Sequence, residues 1–81
     1  MQLSVLLFGP AAAAAGSAEV RVQATGGATA GSVLRALGES HPALRPYVAA
    51  GRLAVNHAFA APEAPIHPGD EVALIAMVSG G

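Results

Sequence analysis

Two hydrophobic rhythms alternate along the chain. From Met1 to Phe8 the odd positions Met1, Leu3, Val5 and Leu7 are apolar, while the even positions run Gln2, Ser4, Leu6, Phe8. A period of two predicts a strand from Met1 to Phe8. One of its faces is apolar throughout, and the other turns from polar to apolar toward its end. "PAAAAAG" follows, with Pro10 suited to a first helical turn, alanine to the interior and Gly16 to the exit. This predicts a short helix that is marginal without packing. "AEVRVQA" alternates again, placing Val20 and Val22 inward and Glu19, Arg21 and Gln23 outward, a half-buried strand.

"TGGAT" then breaks the pattern, and Thr29 suits the N-cap of a helix over "AGSVLRALGES". Val33, Leu34 and Leu37 give this helix an apolar stripe, and Pro42 prevents it from continuing. Gly31 and Gly38 each weaken it by up to ~1 kcal/mol relative to alanine. "RLAVNHAFA" predicts two short strands about a turn at Asn56-His57, because asparagine tolerates the left-handed conformation such turns require. "APEAPIHPGD" is a proline-rich loop in which Pro68-Gly69 fits the centre of a type II turn.

From Glu71 onward both faces are apolar. Val72, Leu74, Ala76 and Val78 form one, and Ala73, Ile75 and Met77 the other, as expected of a strand central to its sheet. The order is strand, strand, helix, two short strands, strand. It predicts an α+β fold with one main helix across one face of a mixed sheet. If the first and last strands pair in parallel at the centre, the pattern is a β-grasp, the ubiquitin-like fold.

Composition narrows the chemistry. A chain of 81 residues buries only about 60% of its unfolded surface, and without cysteine neither a disulfide nor a thiolate zinc site adds stability. The 53% hydrophobic content must supply a single aliphatic core. A net charge of -1 gives no basic face for nucleic acid. No stretch approaches the ~20 apolar residues of a membrane span. The early apolar run also lacks the positive flank of a secretory signal, since the first cation is Arg21. The expectation is a soluble, cytoplasmic protein that binds neither nucleic acid nor membrane.

No catalytic constellation emerges. His41, His57 and His67 lack metal-ligand spacing. Asp70 and Glu71, being adjacent, would point to opposite faces of a strand. The serines lack a nucleophile-elbow pattern, and "GGATAGS" lacks the lysine of a phosphate loop. Lysine is absent altogether, so the only primary amine is at the N-terminus.

"MQLSVLLFG", "TAGSVLRALGESHPAL", "AVN", "PGDEVALI" and the final "VSGG" follow one another in this order. Together they resemble a ubiquitin-like sulfur carrier across essentially the whole chain, most closely the small subunit of molybdopterin synthase (MoaD type) within the MoaD/ThiS superfamily. The resemblance implies a β-grasp domain over residues 1–78 and a flexible Gly-Gly tail over 79–81. It further implies that an E1-like enzyme, using ATP, adenylates the Gly81 carboxylate, and that a sulfurtransferase system replaces AMP with sulfur. The charged tail would then enter the large synthase subunit, which converts a cyclic pyranopterin precursor to molybdopterin. The carrier itself would hold no cofactor and catalyse nothing alone.

The residue types fit that chemistry. A carboxylate is a poor electrophile until it becomes a mixed anhydride, and glycine lets a backbone thread a narrow channel without clashes. Gly80, Gly81 and the small Ser79 meet that need. One departure stands out: where the molybdopterin family usually has an Arg-Glu pair after the first strand, this chain has Ala12 and Ala13. The long first connection still favours this family over the thiamine-pathway carrier.

In such a sheet Leu3, Val5, Val72 and Leu74 face the helix, which turns Leu6, Phe8, Ile75 and Met77 together onto the opposite side. An exposed apolar cluster of this kind marks an interface, here for the large subunit and, by turns, the activating enzyme. A carrier for thiamine thiazole or another sulfur-containing metabolite, a protein modifier, and a β-grasp binding module without carrier function are the alternative readings.

Overall fold

The computed structural model describes residues 2–76, so the expectations for Met1, Met77, Val78 and the tail at 79–81 lie outside the described residues. The elements are β1 (Gln2–Leu6), α1 (Gly9–Ala15), β2 (Glu19–Gln23), α2 (Ala30–Ser40), a 3-10 turn (Pro42–Leu44), α3 (Arg45–Ala50), β3 (Gly51–Val55), β4 (Ala58–Phe59) and β5 (Val72–Ala76). The strands form one five-stranded sheet in the order β2-β1-β5-β3-β4.

The two central strands are the first and the last, and they run parallel with Val5 opposite Val72 and Leu6 opposite Ala73. The other pairings are antiparallel, setting Leu3 against Val22 and Leu53 against Leu74. These inward residues pack with Val33 and Leu37 of α2 and with Leu44 to form the core. The architecture is the β-grasp expected from the order of strands and helix.

Local chemistry accounts for most boundaries. Thr29 Oγ1 accepts from the Ser32 amide at 3.2 Å, and Ser32 Oγ accepts from the Thr29 amide at 2.9 Å, a reciprocal cap that starts α2. Asn56 and His57 have φ of 52° and 70°, the left-handed pair that a tight two-residue hairpin requires. Gly69 has φ of 91°, and the Asp70 amide donates to the His67 carbonyl at 3.1 Å, as in a type II turn.

Two expectations change. The first strand ends at Leu6 rather than Phe8, because the chain turns into α1, whose N-cap is Phe8. Leu7 nevertheless remains buried, its amide donating to Ala18 O at 2.8 Å. The larger change is α3, a third helix where none was expected. Pro42 reads as the end of the main helix, yet Pro42 and Pro46 each occupy the first turn of their own helical segments, where a missing amide costs little.

Gly51 joins α3 to β3 where no side chain fits: a Cβ there would collide with the Tyr47 carbonyl oxygen and lie 3.0 Å from the Ile75 carbonyl oxygen. That close approach lets α3 run directly into the sheet beside β5.

Candidate functional site: the open face of the sheet

The register decides what the uncovered face presents. On the β1–β2 side it carries Ser4 opposite Arg21 and Leu6 opposite Glu19. Across the centre Leu6 meets Ala73, and on β3 Ala54 lies opposite Ala73 and Arg52 opposite Ile75. Beyond them Phe59 of β4 lies opposite Ala54. The face therefore grades from polar at β2 to apolar at β5, β3 and β4.

At the apolar end lies a shallow cavity of about 290 Å³. Its floor is low because Ala54 and Ala73 meet there, with Ile75 beside them and Phe8 and Phe59 as walls. Both phenylalanines are more than half exposed, at 56% and 57%, so no loop of the described chain covers them. The Arg52 guanidinium lies 5.4 Å from the Phe59 ring centroid, a cation–π contact that steadies this wall. Exposed aromatics around a small-residue floor form a socket suited to an apolar side chain from a partner.

A polar knot closes one end of the socket. Nε2 of His57 lies 2.6 Å from Oε2 of Glu71, and both side chains also line the cavity. Asn56 ties the hairpin to the loop before β5: its Nδ2 donates to Asp70 Oδ1 at 3.0 Å, and its Oδ1 accepts from the Glu71 amide at 3.0 Å. Asp70 Oδ2 accepts from the His67 amide at 2.8 Å. That bond, first, and the one from Asn56 hold the Asp70 carboxyl below the ordinary aspartate pKa. Asn56 is thus both turn former and tether.

Of the residues expected at the interface, Phe8 and Ile75 meet in the same cavity. Leu6 is half-buried one row away, in register with Ala73 and outside the lining. Met77, Ser79, Gly80 and Gly81 lie outside the described residues. Sequence reasoning missed Phe59 and the Ala54–Ala73 floor. The signal was there: a two-residue turn at Asn56-His57 fixes Phe59 opposite Ala54 once the hairpin is accepted.

Among the described residues no group of three or more His, Cys, Asp or Glu side chains is placed to hold a metal ion. None of their helices is long and apolar enough to cross a membrane.

Comparison with known proteins places this geometry. No match was found among curated proteins. Among solved structures, small archaeal modifier protein 1 (SAMP1) of Haloferax volcanii is 37% identical, with both chains covered in full and a TM-score of 0.85. A Pyrococcus furiosus protein assigned as molybdopterin converting factor subunit 1 shares the fold at 20% identity, over 96% of this chain and 99% of its own, with a TM-score of 0.81. So does a chain in the complex of subunits 1 and 2 of the molybdopterin-converting factor from Helicobacter pylori, at 23% identity, full coverage of both chains and a TM-score of 0.67. The ThiS family model matches residues 5–81. With fold, family match and a full-length relative in agreement, the chain belongs to the ThiS family, small ubiquitin-like sulfur carriers that are not catalysts themselves.

Proposed function

We propose that this carrier works in the cytoplasm as the small subunit of a molybdopterin synthase, with the Gly81 carboxylate as its sulfur-bearing group. An E1-like partner transfers AMP from ATP to that carboxylate with release of pyrophosphate. A sulfurtransferase system then supplies sulfur at the oxidation level of sulfide, which attacks the acyl carbon and expels AMP, leaving a thiocarboxylate. Residues 79–81 deliver it into the large synthase subunit, while the domain before them docks through its open face. ATP belongs to the activating partner, and the carrier holds no cofactor of its own.

The observation that carries this reading is the exposed Phe8–Ile75–Phe59 socket on β5 and its neighbours, within a fold shared with molybdopterin-converting subunits. Ile75 lies on the last described strand, six residues before Gly81 in sequence, so a partner seated on the socket contacts the strand that precedes the tail in sequence. Mass spectrometry of the protein produced with its own activating system tests the reading. The expected product is heavier by the replacement of one oxygen by sulfur, and it drives molybdopterin formation when mixed with the large subunit. Repeated recovery of the plain carboxylate from a competent host would sink the proposal. A gene for a thiazole synthase beside this one, in place of a large synthase subunit, would redirect the sulfur to thiamine.

A second reading has a specific observation behind it, the 37% identity to a small archaeal modifier protein over the full chain. In that case Gly81 becomes joined to amino groups of other proteins. With no lysine of its own, this chain could not be extended by lysine-linked self-conjugation. Tryptic digestion of cell extract separates the two outcomes: substrate lysines branched with the segment of this chain that follows Arg52, its last tryptic site, support modification, and their absence alongside thiocarboxylate supports the synthase role.

A further inference from the structure

The sheet has two edges, and the chain treats them differently. At the β4 edge only Ala58 and Phe59 are in strand conformation. The Ala60 amide donates to Leu53 O at 3.0 Å, after which Pro62 O and Ala64 O accept from Gly31 and Ala30 at the start of α2. That edge is therefore short, because the chain leaves the sheet for α2 after Ala60. The β2 edge is longer, with five residues in strand conformation, and among the described residues no further strand flanks it.

The pairing phase shows which β2 groups face outward. Leu7 N donates to Ala18 O, one step past the Leu6–Glu19 pair. Bonding alternates along an antiparallel ladder, so Ala18, Val20 and Val22 turn their amides and carbonyls toward β1. Glu19, Arg21 and Gln23 turn theirs away. An outward row of this kind is a template for a further strand.

Two side chains occupy that row. Ser17 Oγ donates to the Glu19 carbonyl at 2.7 Å and accepts from the Glu19 amide at 3.2 Å, satisfying both outward groups of one residue. His41 Nε2 lies 3.1 Å from the Arg21 carbonyl, the next outward position. A carbonyl can only accept, so this ring nitrogen is the donor. The ring is held there by its place in the chain: His41 caps α2, its amide bonded to Leu37 O at 2.9 Å, and leads into the 3-10 turn.

We propose that Ser17 and His41 are an edge guard that prevents a second copy of this chain from adding its β2 antiparallel to this one, leaving the open face as the route for partners. The guard is independent of the sulfur-carrier reading, since it concerns the free protein. It also suits a carrier whose working surface must stay available while its sheet edge stays closed.

The test combines sedimentation with amide exchange on the full chain. The parent protein is expected to sediment as a monomer across the accessible concentration range. Ser17→Ala should speed exchange at the Glu19 amide by about fivefold, the loss of one exposed hydrogen bond, while Val20 and Val22 stay protected. Ser17→Ala should also shift toward dimer at the highest concentrations, and Ser17→Ala with His41→Ala should do so at lower ones. Adding Arg21→Pro, which removes an outward amide without touching the β1 ladder, should return it to monomer. His41→Gln, which keeps a donor, should remain monomeric.

A double variant that stays monomeric with its edge amides exposed overturns the proposal, as does a parent that already dimerises through β2. If loss of His41 unfolds the α2 junction, Ser17→Ala alone decides. Concentration-dependent association with faster Glu19 exchange supports the guard, and unchanged behaviour in either readout rejects it.

Discussion

Asn56 and Asp70, fourteen residues apart, meet through a 3.0 Å hydrogen bond that ties the β3–β4 hairpin to the loop entering β5. Asn56 also holds φ of 52°, so one residue serves both the turn and the tether. Asn56→Ala should destabilise the fold by about 1–3 kcal/mol, through a strained left-handed alanine and two lost surface hydrogen bonds. Asn56→Gly should recover the backbone part and not the rest. Urea melts of the three proteins separate the contributions, and equal stability of alanine and glycine variants would count against the turn argument.

The lowered Asp70 pKa gives a pH dependence of defined sign. Its carboxylate is favoured in the folded state by the His67 amide first and by Asn56 second. Its contribution is therefore complete above the ordinary aspartate range and is lost as pH falls through the depressed folded-state value. Stability of the parent should fall in that acidic window more steeply than that of Asp70→Asn. Denaturation series at several pH values check this, and parallel curves would reject it.

The socket makes a prediction about binding without a matching loss of fold. Phe8→Asp and Phe59→Asp place a charge on walls that are already more than half exposed. Each should leave the circular dichroism spectrum unchanged. Affinity for the large synthase subunit should fall by about thirtyfold or more, the scale of an interface hot spot. Ile75→Asp should do the same at greater cost to stability, because Ile75 is half-buried. Calorimetric titration is the readout, and unaltered affinity in both phenylalanine variants would remove the open face from consideration.

Gly51 is predicted to resist even alanine. Its backbone is ordinary, with φ of -111°, so the obstacle is space alone: the new Cβ meets the Tyr47 carbonyl. Gly51→Ala should destabilise by about 1–3 kcal/mol as α3 is pushed from the sheet. Gly26→Ala, where a Cβ meets nothing within 4 Å, is the control and should be near neutral in thermal unfolding.

Features governed by neighbours in sequence were legible from it. The period-two strands, the Thr29 cap, the Asn56-His57 turn and the Pro68-Gly69 turn all rest on local rules, and all are present. The meeting of Phe8 with Ile75 was legible as well, because it follows from parallel pairing of the outer segments of the chain.

What escaped depends on contacts between distant segments or on position within an element. Pro42 and Pro46 disguise α3, since a proline that breaks a helix interior is harmless in its first turn. The Ala54–Ala73 floor exists only once β3 and β5 are aligned. The reach of His41 to Arg21, twenty residues back, has no local signature at all.

The parallel β1–β5 pair has a consequence for how the protein is made. Val5 sits beside Val72, so the centre of the sheet joins segments separated by nearly the whole described chain. Contacts of such long range slow folding, because a large loop must close before they form. A chain broken off before β5 would leave β1 without its central partner and Val5 without Val72 in the core. A chain ending before β5 is therefore expected to lack a stable core, and limited proteolysis of truncated variants would show it. The topology works as an inspection step: a chain that holds its fold is one that has been read through β5.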